Sequence, residues 1–564
     1  MNKAKAILLT VATFIISLLQ PAFAQSEPGL KDIYANYFRV GNILSSGTVN
    51  NTGIKTLITK EYNSITMENE MKPDASMTRT GSTNTNIRAQ INSGAAAILK
   101  FCSDNKIPVR GHVLAWHGQT PDWFFIENIN DPNWQTYRSG PVSQVPWASK
   151  EVMNQRLESY IKNLFELYKT EYPNVHIYAY DVVNEAVYVS NGTASMRPAG
   201  FDHNGAGGQG SSSAGNSPWQ AIYGANNRDW IKNAFTYARK YAPAHTKLFY
   251  NDYNEWDPPK RDYIIANILK PLREAGILDG MGMQSHVSAD PNDSWSGWTR
   301  YQTAMNEYAK LDIEIQATEL DPSTNNGQHS LALQGTRYRQ LFQHAMAINA
   351  DTKTPGRFTA ICIWTPNDAN TWLGSQHTPA LHNASNAKKP AYDSLAALVP
   401  KASWGDGNNP GFLTPNISIS VTCNTNNLQS AYIAGAAVPR PNTTCSDGST
   451  PGTASFSANG NAVTGWVEPN GTHQLYVTGT RTVTLNSLAC GTTDVIPNPP
   501  VPCGSFEIIE DSATPIVKVP SINLNSAAFV EIYDLKGNRM SGTLPSGVYL
   551  AKMPGMQSRM FVVK

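Results

Sequence analysis

Eight short apolar segments, alternating with stretches of helical spacing, run from about residue 30 to 398 and leave few folds open. They are FRVGNIL (38–44), YNSIT (62–66), VRGHVLAW (109–116), IYAYDVVNE (177–185), KLFYND (247–252), GMGMQSH (280–286), DIEIQATE (312–319) and TAICIW (359–364). Between them, NQRLESYIKNLFELYKTEY (154–172) and RDWIKNAFTYARKYA (228–242) carry apolar residues at helical spacing. Eight strand–helix units over this length predict an α/β fold, a (β/α)8 TIM barrel. An open doubly wound sheet competes, but it usually has fewer strands and a Gly-rich phosphate turn, which is not found here.

The 564 residues leave room for more than the barrel, taken as 25–400. Lys3 and Lys5 precede an apolar run that ends in Ala22-Phe23-Ala24, so 1–24 reads as a signal peptide and the mature protein as secreted. The apolar run is short for a membrane span, and no other stretch is long enough. GDGNNPGFLTP falls in a linker (401–415), followed by a small β-module (416–493), a Pro-rich linker (494–512) and a β-sandwich-like tail (513–564). Small all-β modules therefore follow the barrel. Cys102 and Cys362 sit in apolar segments and read as plain buried thiols, while Cys423, Cys445, Cys490 and Cys503 leave room for up to two disulfides. A formal net charge of +1 gives no reason to expect nucleic acid or an anionic membrane as a partner.

In a barrel of this type, chemistry sits where the strands end and the following loops converge. Strand 2 runs into Glu68, Asn69 and Lys72; strand 3 carries His112 and Trp116, then His117, Gln119 and Trp123. Strand 4 ends in Asn184 and Glu185, strand 5 in Asn251, Asp252 and Tyr253, strand 6 in Gln284 and His286. Strand 7 ends in Glu319 and Asp321, and strand 8 delivers Trp364, with Asp368 and Trp372 behind it. Each has a plain explanation alone: a helix cap, a hydrogen-bonded core histidine, a plug for the barrel top. Seven consecutive strands ending alike do not. Two carboxylates from opposing parts of the rim suit glycoside hydrolysis, which needs one acid for the leaving oxygen and one carboxylate to attack or to activate water. The spacing leaves retention and inversion both open. No ligand pair such as H-x-x-x-H supports a metal, and no cofactor is implied.

ITMENEMKPD, RGHVLAWHGQTPDWF, DVVNEA, NDYN, GMGMQSHV, IEIQATELD and the W-x-x-x-D-x-x-x-W of 364–372 resemble glycoside hydrolase family 10, over residues 30–398. That family comprises endo-β-1,4-xylanases on a (β/α)8 barrel. The resemblance implies Glu185 as acid/base and Glu319 as nucleophile, with retention of configuration and xylan as the partner. Such an acid must hold its proton near neutral pH, which partial burial and a neighbouring negative charge favour. Asn184 would bind the sugar 2-hydroxyl, His286 would orient the nucleophile and Asp321 would steady that histidine. His112, Trp116 and Gln284 would line the glycone site nearest the cleaved bond; Glu68, Asn69 and Lys72, with Gln119 among the binding residues, would hold the next xylose. Trp364 and Trp372 would cover the glycone sugars, and Tyr253 would contact the leaving-group side.

The sequence departs from the family at PAGFDHNGAGGQGSSSAG (198–215), a Gly- and Ser-rich insertion that reads more readily as a tolerated loop than as a functional lid and, following strand 4, would fringe the leaving-group side of the cleft. The tail, with SATPIVKVP, FVEIYDLKGNRM and LPSGVYLAKM, resembles the sorting domain of type IX secretion substrates. That implies outer-membrane secretion machinery as a partner, with release or cell-surface attachment to follow. Tyr432, Trp466 and Tyr476 are candidate sugar-stacking residues of the 416–493 module, which reads equally well as a spacer. A monomer is expected. A β-1,4-glucan hydrolase on the same scaffold and an inactive polysaccharide-binding protein remain the alternatives.

Overall fold

The computed structural model describes residues 27–202, 215–243, 245–351 and 353–408, and from 419 onward the backbone of short strands. Eight parallel strands close into a barrel: β1 (Arg39–Leu44), β2 (Ser64–Met67), β3 (Val109–Ala115), β4 (Ile177–Asn184), β5 (Lys247–Asp252), β6 (Gly280–Met283), β7 (Glu314–Leu320) and β8 (Arg357–Ile363). Each pairs with the next, and β8 returns to β1 with Arg39 opposite Ala360 and Asn42 opposite Ile363. The Asn42 amide donates to the Thr365 carbonyl at 3.0 Å across that seam. The (β/α)8 barrel expected from the sequence is thus the observed architecture.

Most strands shift by one to three residues at an end, and for two of them the local reason is plain. The second begins at Ser64 and not Tyr62, because the Tyr62 N–H still bonds the Ile58 carbonyl of the helix Thr52–Glu61. The sixth leaves the ladder after Met283, and Ser285 adopts a left-handed φ of 68°.

The longest helix among the described residues, Lys150–Glu171, starts four residues before its apolar pattern suggests, because the Ser149 side chain accepts from the Val152 N–H and caps it. Its buried face, Met153, Leu157, Tyr160, Ile161, Leu164 and Tyr168, packs near the helix Asp229–Tyr241, which buries Trp230, Ile231, Ala234, Phe235 and Ala238. Each of the larger apolar side chains contributes about 1.5–3 kcal/mol by leaving water. A hairpin absent from the sequence reading follows β4: Val187–Ser190 pairs antiparallel with Thr193–Met196. Its turn is Asn191-Gly192, with φ of 48° and 74°, the left-handed pair that an Asn-Gly turn supplies. The hairpin brings the chain back beside β4.

Cys102 and Cys362 are buried free thiols, as expected. Among the described residues no helix is long and apolar enough to cross a membrane. The segment expected to be a signal peptide, most of the 198–215 insertion, the C-terminal cysteines and the side chains of the two expected C-terminal modules lie outside the described residues. Backbone strands are described there, such as Gly547–Lys552 antiparallel to Arg559–Val563.

Candidate active site

The rim is knitted by backbone hydrogen bonds that continue the barrel ladder past the strand ends. The Glu185 N–H bonds the Asn251 carbonyl, Gln284 bonds Asp252, Glu319 bonds Gln284 and Trp364 bonds Leu320, all at 2.9–3.0 Å. Adjacent strands therefore set the heights of Glu185, Gln284, Glu319 and Trp364 relative to one another.

Glu185 sits in the left-handed region at φ 54°, which is strained for so large a side chain. Three groups hold it. Arg197, at the end of the hairpin, donates from Nε to its carbonyl. The Trp116 indole donates to Oε2 at 3.1 Å, and the Gln284 amide to Oε1 at 2.8 Å. The Arg197 guanidinium also lies 3.7 Å from Oε2, and the side chain remains 17% exposed.

Glu319 is more enclosed. Its Oε1 accepts from Asn251 at 2.9 Å, and its Oε2 lies 3.2 Å from His286 Nε2. Burial pushes this carboxyl up, but the His286 hydrogen bond and the nearby His112, His286 and Lys72 outweigh burial and hold it down to about 2. The other nitrogen of His286 is 2.9 Å from Asp321 Oδ2, which also accepts from the Trp372 indole at 2.8 Å. Burial works against a charged imidazole, yet Asp321 and Glu319 raise its pKa well above the ordinary value. Both ring nitrogens then carry protons, so His286 donates to both carboxylates.

The two glutamates belong to one hydrogen-bonded chain. Gln284 Nε2 donates to Glu185 Oε1 and, at 3.1 Å, to Asn184 Oδ1; Asn251 Nδ2 donates to that same Asn184 oxygen at 3.0 Å and to Glu319 Oε1. Gly282 on β6 makes room for this relay, since a Cβ there would lie 2.3 Å from Asn251 Oδ1.

A second group adjoins the first. Lys72 donates from Nζ to Asn69 and Gln119, both at 2.9 Å, and lies 5.3 Å from the centre of the Trp116 ring. Burial lowers the Lys72 pKa against the pull of Glu319, Glu185 and Glu68, and raises that of Glu68 against the pull of Lys72. His112 is oriented from inside the barrel by Asp181 at 2.9 Å, itself paired with buried Arg110. Trp364 is 5% exposed and meets His112 edge-on at 6.0 Å, whereas Trp372 is 37% exposed and lies 5.2 Å from His286. Tyr253 accepts from Arg197 at 3.2 Å, and Lys260 sits 3.6 Å from the centre of its ring.

The barrel residues assigned a role in the sequence reading thus fall in or beside one network, whereas the side chains of Tyr432, Trp466 and Tyr476 lie outside the described residues. Of the strand-end residues given no role, Asn251 joins the network as well, while three others are engaged elsewhere. Trp123 packs in the core, Asp368 is tied to Lys389 at 3.0 Å and Asp252 to Lys260 at 2.7 Å. Sequence reasoning missed Arg197, whose only signal is a basic residue closing VYVSNGTASMR, and Lys260. Among the described residues no cluster of His, Cys, Asp or Glu is arranged to hold a metal ion.

The profile of glycosyl hydrolase family 10 matches residues 29–398. Endo-1,4-beta-xylanase Y of Acetivibrio thermocellus is 54% identical over 385 residues, covering 68% of this chain and 33% of the relative. The bifunctional endo-1,4-beta-xylanase XylA of Ruminococcus flavefaciens is 38% identical over 379 residues, covering 67% of this chain and 35% of the relative. The chain therefore spans about a third of the length of these curated relatives. Among solved structures, the CBM22-1–GH10 modules of the Clostridium thermocellum endo-1,4-beta-D-xylanase 10B, complexed with xylohexaose, match with a TM-score of 0.61 at 51% identity. That match covers 68% of this chain and 70% of the other.

Proposed function

Since the chain belongs to glycosyl hydrolase family 10, we propose that it is an endo-1,4-β-xylanase that cleaves internal bonds of xylan with retention. The observation that carries this reading is the unequal treatment of the two carboxylates. Glu319 is enclosed, ionised and gripped by two donors, while Glu185 is partly open and stands across the relay from it.

Glu319 attacks the anomeric carbon as Glu185 gives its proton to the departing glycosidic oxygen, and a glycosyl ester forms on Glu319. Glu185, now a carboxylate, takes a proton from water. The resulting oxygen nucleophile displaces Glu319 from the sugar, and two inversions give retention. Asn184 accepts two hydrogen bonds on Oδ1, which turns its Nδ2 outward as a donor for the 2-hydroxyl. His286 and Asp321 hold the nucleophile; His112, Trp116 and Gln284 line the site of the sugar attacked. Lys72, Asn69, Gln119 and Glu68 bind the next sugar outward. Trp372 and Trp364 offer apolar faces to pyranose rings, and Tyr253 faces the leaving side. The basic and apolar leader and the tail motifs support export through the outer membrane, which fractionation of the native host would test.

The deciding experiment is hydrolysis of xylan and cellulose by the wild type and by Glu319→Ala, with azide added to the variant. Xylan-selective release, lost in the variant and restored as the glycosyl azide of inverted configuration, is the expected result. An undiminished variant would overturn the site. A wild type acting on cellulose alone, or on neither polymer, would overturn the substrate.

A further inference from the structure

Glu255 lies three residues past β5 and is fully buried, with the Ser285 N–H bonded to its Oε1 at 3.1 Å. Its Oε2 is also buried and has no hydrogen-bond partner among the described residues. The local backbone does not need this side chain, because the Tyr308 hydroxyl already holds the Glu255 carbonyl at 3.1 Å. A buried carboxyl that makes one hydrogen bond is costly unless that bond has a purpose.

The bond lands on a strained residue. Ser285 is left-handed at φ 68°, which a serine rarely adopts, and the next residue is His286. The Ser285 hydroxyl bonds the Met283 carbonyl at 2.9 Å and meets the Tyr301 hydroxyl, so the turn is held on its side-chain face. Glu255 holds its N–H. We propose that Glu255 is a positioning residue for the nucleophile: by gripping the Ser285 N–H it fixes the turn that aims His286 at Glu319.

Burial pushes the Glu255 carboxyl up to about 8 against its own backbone N–H and the pull of His286 and Lys260, with Asp252 adding to the rise. Near neutral pH the group is the uncharged acid, an acceptor that adds no third negative charge around His286. This inference rests on the reading of Glu319 as nucleophile.

The test compares Glu255→Leu, which removes the acceptor with little change of volume, with Glu255→Gln, which keeps it, using the full chain on xylan. Glu255→Leu is expected to lower kcat about 30-fold with KM within about twofold, and Glu255→Gln to stay within about threefold of wild type. In a His286→Ala background, Glu255→Leu should cost less than about twofold, since its effect passes through that histidine. Equal losses in both backgrounds, or an unaffected Glu255→Leu, would overturn the proposal. If Glu255→Leu does not fold, Glu255→Gln decides alone: a 30-fold loss there overturns it, and near-wild-type kcat supports it. The low-field imidazole N–H resonances of His286, assigned by their loss in His286→Ala, give the same reading without substrate. They should shift or broaden in Glu255→Leu and persist in Glu255→Gln; unchanged resonances in Glu255→Leu sink the idea even if the wild type proves inactive on xylan.

Discussion

The side-chain nitrogen of Gln284 lies 2.8 Å from Oε1 of Glu185, and the same nitrogen reaches Asn184 at 3.1 Å. One amide thus orients the group read as the acid and its neighbour for the 2-hydroxyl. Replacing Gln284 by Leu removes one hydrogen bond from each, leaving Asn184 to Asn251 and Glu185 to Trp116 and Arg197. Steady-state kinetics on xylan should show kcat reduced about 10- to 100-fold, the scale of misplacing a reacting group by an ångström. A loss confined to KM would mean that Gln284 only binds sugar.

Arg197 reaches the Glu185 carbonyl, the Glu185 carboxylate and the Tyr253 hydroxyl together. Arg197→Met leaves a strained backbone carbonyl and a tyrosine hydroxyl without this donor. Urea unfolding is expected to show a loss of about 1–3 kcal/mol, with kcat falling further than in Arg197→Lys, which can still donate to the carbonyl.

Glu319 brings a pH signature to stability. Its pKa is about 2 in the fold against an ordinary 4.5, so its contribution is complete above 4.5 and disappears as pH falls through 2. The shift corresponds to roughly 3 kcal/mol, shared with His286. His286 shifts the other way, so its contribution is complete below its ordinary 6.5 and fades only as pH rises through its higher folded value. Denaturant midpoints of wild type and Glu319→Gln should converge between pH 4.5 and 2. A constant gap across that window would contradict the assignment.

Trp372 combines an exposed ring with a buried bond, since its indole donates to Asp321 at 2.8 Å. Trp372→Phe keeps a ring and loses the donor, and should lower kcat about 3- to 10-fold with KM little changed. Trp372→Ala should also raise KM, by about 5- to 10-fold for a lost ring–sugar contact of about 1 kcal/mol. If the two variants behave alike, the ring does not touch sugar.

The barrel was legible because apolar strands repeat at intervals that helices fill, a pattern stated residue by residue in the chain. Glu185 and Glu319 stood out as candidates because seven consecutive strands end in polar or aromatic groups, a coincidence that no single strand end conveys. Arg197 was not, because its contact depends on how far a hairpin doubles back. Glu255 reads as one more charge in NDYNEWD, and its burial is decided by β6 and by the helix Trp298–Ala309 that carries Tyr301 and Tyr308. Trp123 and Asp368 joined the rim in the reading because loop side chains follow no period that says which way they face.

The seam between β1 and β8 joins residues more than three hundred positions apart, and Trp364 and Trp372 follow the last strand in the chain. Chain synthesis therefore delivers both glutamates before the tryptophan that steadies the Asp321–His286 pair. If this long-range seam is the last contact to form on refolding, recovery of turnover should lag behind the return of helical signal, making turnover a clock for that closing step.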